Sequence, residues 1–227
     1  MKNVLVACEC SQTVCAAFRG AGFNAFSCDI VSEYGGHPEW HILGDCFNVI
    51  RAPVKFHTCD GKEHYIEIWD LIIAHPPCTY LCSCQAHLYN TNKYGVKYVS
   101  YRREKQNEAI SFFMLFTRLK TKVAIENPVG IMSRLFRKPD QIINPYDFGN
   151  PERKKTCLWL FGLPKLIPTI QVIPENNHEF KCDYKMGEWM YRTSCLPQKD
   201  RSKARSKTFE GIAQAMAHQW GEFIQSH

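Results

Sequence analysis

No run of about 18 apolar residues, the least a membrane-spanning helix needs, occurs in the 227-residue sequence, so no membrane partner is expected. The first residues, Met1-Lys2-Asn3-Val4-Leu5-Val6-Ala7-Cys8-Glu9, carry one basic residue and an apolar run stopped by Glu9. That reads as a buried strand rather than an export signal. The spacing Cys-x-x-Cys, typical of zinc knuckles, is absent although there are 12 cysteines. Cys8-x-Cys10, Cys82-x-Cys84 and His57-Thr58-Cys59 do not supply it, and no metal site is expected. The cysteines therefore read as free thiols of a reducing cytoplasm rather than a disulfide framework. Repeats and low-complexity tracts are missing as well.

What is present can build a core. Hydrophobic residues make up 45% of the chain and aromatics 13%, which excludes disorder as its general state. At about 150 residues per domain, the length fits one domain with a small appendage. The 28 Lys+Arg against 22 Asp+Glu leave a net charge of +6, which permits a nucleic-acid partner without requiring one.

Apolar runs of strand length recur, with helical patterns between them. Val4 to Cys8, Asn24 to Cys28, Trp69 to Ala74, Lys122 to Ile125 and Thr156 to Phe161 read as strands. Ser11 or Thr13 is placed to cap a helix through Val14, Ala17 and Phe18. Tyr101 to Leu119 and Phe209 to Ile224 read as helices, the second burying Ile212, Met216, Trp220 and Phe223 on one face. The alternation predicts an α/β domain with a mostly parallel sheet. Three regions are expected: a catalytic domain over 1–164, an irregular and basic recognition segment over 165–207, and a C-terminal helix over 208–227 that packs back. Ligands of such sheets bind beyond the carboxyl ends of the strands, where Asp29, Glu126 and the turn after Ala74 fall.

Two segments carry chemistry. In Ala74-His75-Pro76-Pro77-Cys78-Thr79-Tyr80 a buried strand runs into two prolines, each fixing φ, and then a cysteine. A thiolate held there is suited to attack an electrophilic carbon. In Ile125-Glu126-Asn127-Pro128 an apolar strand ends in a carboxylate, which can cap a helix or hydrogen-bond a base edge. Tyr94 to Arg103 interleaves basic and aromatic residues suited to stacking on bases, and Arg201 to Lys207 is a basic run able to neutralise phosphates.

In order along the chain, Val4–Glu9, Cys28-Asp29, Gly44-Asp45-Cys46, Pro77-Cys78, Glu126-Asn127-Pro128 and the segment 152–155 resemble the motifs of DNA cytosine-5 methyltransferases, most closely the small phage-type members. The resemblance implies a Rossmann-like fold that uses S-adenosylmethionine to methylate C5 of cytosine in DNA, in the cytoplasm of a bacterial host if phage-encoded. Cys78 would add to C6 of cytosine and Glu126 would hold N3 and the exocyclic amine. Ala7, Cys8, Glu9, Ser11, Asp29, Asp45 and His75 would lie against the cofactor. Pro77, Thr79, Asn127, Arg153, Lys155 and Arg205 would contact substrate, and a base within a duplex would have to flip out. The chain departs from the pattern in its glycine-free Ala7–Gln12 loop and its short 165–205 region. Three alternatives follow: a free cytosine nucleotide or single-stranded DNA as substrate, amino methylation (His75-Pro76-Pro77-Cys78 is similar to that loop), or an inactive relic that only binds nucleic acid.

Overall fold

A computed structural model of the chain describes residues 1–179 and 185–227. In chain order the elements are β1 (Asn3–Ala7), α1 (Thr13–Gly20), β2 (Asn24–Asp29), β3 (His41–Leu43), β4 (Val54–His57), β5 (Glu63–Ile66) and β6 (Leu71–Ala74). After a 3₁₀ segment (Ser83–Tyr89) come α2 (Thr91–Tyr94), α3 (Val96–Phe116), β7 (Lys122–Pro128), α4 (Met132–Leu135), β8 (Gln141–Ile143) and β9 (Thr156–Phe161). The last part holds β10 (Asn177–Glu179), β11 (Lys185–Gly187), α5 (Glu188–Ser194), α6 (Gln198–Ser206), α7 (Glu210–Ala215), a π-helical turn (Met216–Trp220) and α8 (Gly221–Ser226).

Seven strands form one sheet in the order β3-β2-β1-β6-β7-β9-β8. The pairs from β3 to β7 are parallel, and β9 runs antiparallel to both β7 and β8. The domain is therefore α/β with a mostly parallel sheet. Both faces of its centre are covered, as the unbroken apolar runs require. Val4, Val6, Leu71 and Ile73 pack with α1 and the C-terminal helices around Phe18, Met216 and Trp220. Leu5, Ala7, Ile72 and Ala74 pack on the other face with Phe113, Phe116 and Trp159.

Several boundaries differ from the sequence reading. β7 continues through Glu126 to Pro128, because β9 pairs with it along that whole length. The long helix begins at Val96 rather than Tyr101, since Gly95 (φ 80°) ends α2 and restarts the chain there. The segment read as irregular after residue 165 contains the β10–β11 ladder, α5 and α6, and Arg201 to Ser206 of the basic run is helical. Neither Ser11 nor Thr13 is the principal helix cap. The Glu9 carboxylate takes the amides of Val14 (2.7 Å) and Cys15 (3.1 Å) instead. No helix among the described residues is long and apolar enough to cross a membrane.

The sheet order reverses between β1 and β6. From β1 the chain moves outward through β2 and β3, then returns to β6 on the opposite side of β1 and continues to β7. The loops after β1 and β6 leave in opposite directions, and the crevice between them is where open α/β sheets place ligands.

Candidate functional site at the sheet switch point

The turn after β6 is fixed from three sides. His75 continues the ladder, its N–H donating to Ala7 O at 2.9 Å. The buried Asn127 amide donates from Nδ2 to Pro76 O at 2.8 Å. The Cys78 carbonyl accepts from Leu81 and Cys82 N–H groups, both at 3.0 Å. With φ also restricted at Pro76 and Pro77, Cys78 is held half-buried between exposed Pro77 and Thr79. Asn127, expected at substrate, thus positions the turn.

Beside the turn lies a buried pair. His75 Nδ1 is 2.8 Å from Glu126 Oε2, with side-chain exposures of 9% and 13%. Burial alone would push His75 down, but the hydrogen bond and charge of Glu126, with Glu9 beyond, hold it above the ordinary 6.5. Burial likewise opposes ionisation of Glu126, yet the bond and charge of His75, then Lys154, keep it below the ordinary 4.5. The buried Nε2 of His75 has no hydrogen-bond partner among the described residues, so a donor or acceptor in the crevice would relieve a costly orphan. His75, read as a cofactor contact, is first of all the partner of Glu126.

Burial, then the Glu126 charge, pushes the Cys78 thiol up, and Lys154 opposes them. The resting side chain is therefore a thiol, and attack requires its deprotonation. Lys154 acts electrostatically on His75, Cys78 and Glu126 alike, while its Nζ donates to Arg205 O at 2.9 Å. Its neighbours, which the sequence reading favoured, are elsewhere. Arg153 Nε donates to Glu175 O at 2.7 Å, and Lys155 is exposed. The usable signal was strand alternation: Lys154 shares a side with Thr156, the first residue of β9, and its neighbours do not. Arg205 ties α6 to α5, its guanidinium donating to Thr193 Oγ1 (2.9 Å) and Met190 O (2.7 Å).

The loop after β1 replaces glycine with strain. Cys8 (φ 61°) and Gln12 (φ 59°) both adopt the left-handed conformation, which costs an ordinary residue about 1–2 kcal/mol. Cys8 N–H donates to Cys28 O at 2.7 Å. Gln12 is held by its buried amide, whose Nε2 reaches Ser27 Oγ (3.3 Å) and His37 O (2.8 Å) while Oε1 accepts from His37 N–H (3.1 Å). The loop thus turns as a glycine-bearing one would. Glu9, expected at the cofactor, is buried under it as the cap of α1, and burial pushes its carboxyl up. Ser11 Oγ donates to Glu9 Oε1 at 3.2 Å.

At the ends of β2 and β3 stand Asp29 and Asp45. Oδ1 of Asp29 accepts from Val31 N–H (3.0 Å) and Oδ1 of Asp45 from Phe47 N–H (2.9 Å), so each carboxylate keeps a second oxygen as an acceptor. A separate cleft of about 440 Å³ opens between α1, α7 and Tyr34, with Ser11 and Lys207 on its rim. It lies on the α1 flank of the Ser11 loop, not over Cys78. α6 passes along this side too, Lys203 Nζ sitting 4.0 Å above the Tyr34 ring.

One other expectation is corrected. Arg102, in the stretch read as stacking on bases, is buried between Tyr80 and Tyr89, 5.0 and 5.1 Å from their rings. It braces the segment after Cys78 and leaves Tyr98 and Tyr101 exposed. Glu33, His41 and Cys59 stand close enough to share a metal ion, but His41 spends both ring nitrogens on Ser27 Oγ (2.9 Å) and Val31 O (3.1 Å).

The chain matches no protein-family model and no curated relative.

Proposed function

We propose that the protein is an S-adenosylmethionine-dependent methyltransferase acting at C5 of cytosine in DNA, with Cys78 as nucleophile. One observation carries the reading: the switch-point crevice gathers a cysteine on a rigid Pro-Pro turn, a buried His75–Glu126 pair, and Lys154 acting on all three. Addition of a thiolate to an aromatic carbon needs a fixed sulfur, a nearby cation to favour its ionised form, and a group that stabilises charge on the ring.

The residues present suit the cofactor. The Ala7–Cys8 turn supplies backbone at the crevice floor, Asp29 and Asp45 retain carboxylate oxygens for hydroxyl and amine donors, and the His75 Nε2 orphan lies buried at the crevice. When bound, S-adenosylmethionine supplies an electrophilic methyl group. Cys78 forms a bond to C6 of the ring, and the electron pair of the 5,6 double bond moves to C5. Glu126, oriented and kept ionised by His75, accepts from the exocyclic amine and from the N3–H that forms as addition makes N3 basic. Once C5 carried the methyl group the cofactor would supply, its bond to the sulfonium sulfur broken, loss of the C5 proton to a base would expel Cys78 as thiolate and restore the double bond.

A second reading has a smaller substrate, a cytosine nucleotide or single-stranded DNA. It is favoured by α6, which Lys154 and Tyr34 hold beside the crevice from two sides and which restricts room for a duplex.

The test is transfer of labelled methyl from S-adenosylmethionine to duplex DNA, single-stranded DNA and free cytosine nucleotides, with the product nucleoside identified by mass spectrometry. 5-Methylcytosine that disappears in Cys78→Ala supports the thiol route, and the preferred substrate chooses between the readings. A methylated amine that survives the substitution moves the activity to nitrogen. Absence of product on every substrate from folded protein leaves a nucleic-acid-binding relic.

A further inference from the structure

Two thiols unused by the chemistry above stand together just past the Cys78 turn. Cys82 Sγ and Cys84 Sγ are 2.9 Å apart, within about 1 Å of the ~2.05 Å bonding distance of a disulfide. Cys84 is exposed and Cys82 partly so, which lets a small oxidant reach them.

The backbone that carries them is held on both sides. Cys82 N–H donates to Cys78 O at 3.0 Å, and Ser83 N–H donates to Val129 O at 3.1 Å. The Ser83 hydroxyl donates to the same Val129 carbonyl at 3.0 Å. Gly130 packs on this stretch so tightly that an added Cβ would fall 2.1 Å from Leu81 O. The two sulfurs therefore meet in a pre-formed geometry, and little ordering entropy opposes their joining.

The pair is chemically asymmetric. The hydrogen bond from Cys82 outweighs burial and, helped by Arg205 and His87, brings Cys84 down to about 6. The same bond, with burial, pushes Cys82 far up. One sulfur is thus a thiolate near neutral pH and its neighbour a thiol, the arrangement of an attacking and a resolving cysteine.

We propose that Cys82 and Cys84 form a redox-active dithiol that a hydroperoxide converts to a reversible intrachain disulfide. The Cys84 thiolate attacks the peroxide, forming an S–O bond as the O–O bond breaks, and the departing oxide takes a proton to leave as water or alcohol. Cys84 is then a sulfenic acid. The Cys82 sulfur attacks it, forming the S–S bond as the S–O bond breaks, and the hydroxide leaves as water with the Cys82 proton. Two thiols lose two electrons and one hydroperoxide gains them. A disulfide closed across one intervening residue and open to solvent belongs to the labile, easily reduced class.

The test uses the full chain and needs no methyl transfer, so it stands apart from the function proposed above. Reduced protein is treated with stoichiometric hydrogen peroxide, blocked with a maleimide and mapped by peptide mass spectrometry. The peptide carrying both residues is expected to lose two hydrogens before exposed Cys59 and Cys195 react, and to regain them with dithiothreitol. The rate should rise about tenfold from pH 5 to pH 7, following the thiolate fraction. Cys82→Ser should stop Cys84 at a sulfenic acid trapped by dimedone, and Cys84→Ser should leave Cys82 unoxidised. Oxidation of Cys84 no faster than that of Cys59 and Cys195, or a disulfide joining Cys78 to either residue, overturns the proposal. The wild-type map decides this even if a variant misfolds.

Discussion

Nδ1 of His75 and Oε2 of Glu126 meet at 2.8 Å with both side chains nearly out of solvent, and the bond and charge each receives from the other outweigh the burial that opposes ionisation of both. His75 is held above 6.5 and Glu126 below 4.5. A raised histidine stabilises the fold fully below its unfolded value, and that contribution fades as pH rises through its folded one. A depressed carboxylate stabilises above its unfolded value and fades as pH falls through its folded one. The two contributions coincide between pH 4.5 and 6.5. Glu126→Gln is expected to cost about 1–3 kcal/mol there, and less once the pH has risen through the raised folded value of His75. Chemical denaturation of both proteins across pH measures the difference. A pH-independent gap would deny the charge pair.

Cys78 should alkylate slowly at neutral pH, and the midpoint of its pH–rate profile should lie above the ordinary 9.0. Lys154→Met removes the charge that opposes this rise, so the midpoint should move further up while the high-pH plateau is kept. Peptide-resolved iodoacetamide labelling reads both. A midpoint unmoved by the substitution would separate Lys154 from the thiol.

Glu9 caps α1 from a buried position, and burial pushes its carboxyl above the ordinary 4.5. Its ionised form therefore offsets part of its own hydrogen bonding, and the folded state holds the proton more tightly than the unfolded chain. Glu9→Ala should destabilise by about 1–2 kcal/mol through the lost cap. The loss relative to wild type should be greater at pH 4 than at pH 7, because raising pH erodes only the wild-type contribution. Paired thermal melts at the two pH values check the sign.

The two left-handed residues of the first loop should respond differently to glycine. Cys8→Gly relieves strain of about 1–2 kcal/mol and adds about 0.5–1 kcal/mol of unfolded-state entropy, so stability should hold or rise slightly. Gln12→Gly gains the same relief but strips three hydrogen bonds from a buried amide, and the His37 and Ser27 groups lose partners. It should destabilise by about 1–3 kcal/mol. Denaturant midpoints rank the two.

The long apolar strands were legible because both their faces are buried: Val4–Ala7, Leu71–Ala74 and Thr156–Phe161 show as continuous runs. β3 and β8, with three residues each, and the β4–β5 pair were not, since so few residues establish no period. Cys78 and Glu126 could be singled out because proline and a strand end mark their backbone. Lys154 escaped because residue type does not separate it from Arg153 and Lys155; only the alternation that β9 imposes from Thr156 onward does. Arg102 misled for the opposite reason: the Tyr80 and Tyr89 rings, from the segment before α3, enclose it, and local sequence cannot show that enclosure.

The reversed direction of β9 has its own consequence. A parallel strand can offer the crevice only residues that follow it. A strand running the other way begins at that rim and offers the residue that precedes it, which is how Lys154 arrives opposite Pro128 and the Cys78 turn. Its position is set by the pairing of Thr156 with Pro128 rather than by the chain between them. Loop residues over 129–153 outside β8 and the α4 turn can therefore lengthen or shorten through evolution without moving the ammonium, while a two-residue slip of β9 along β7 would carry it about 7 Å away.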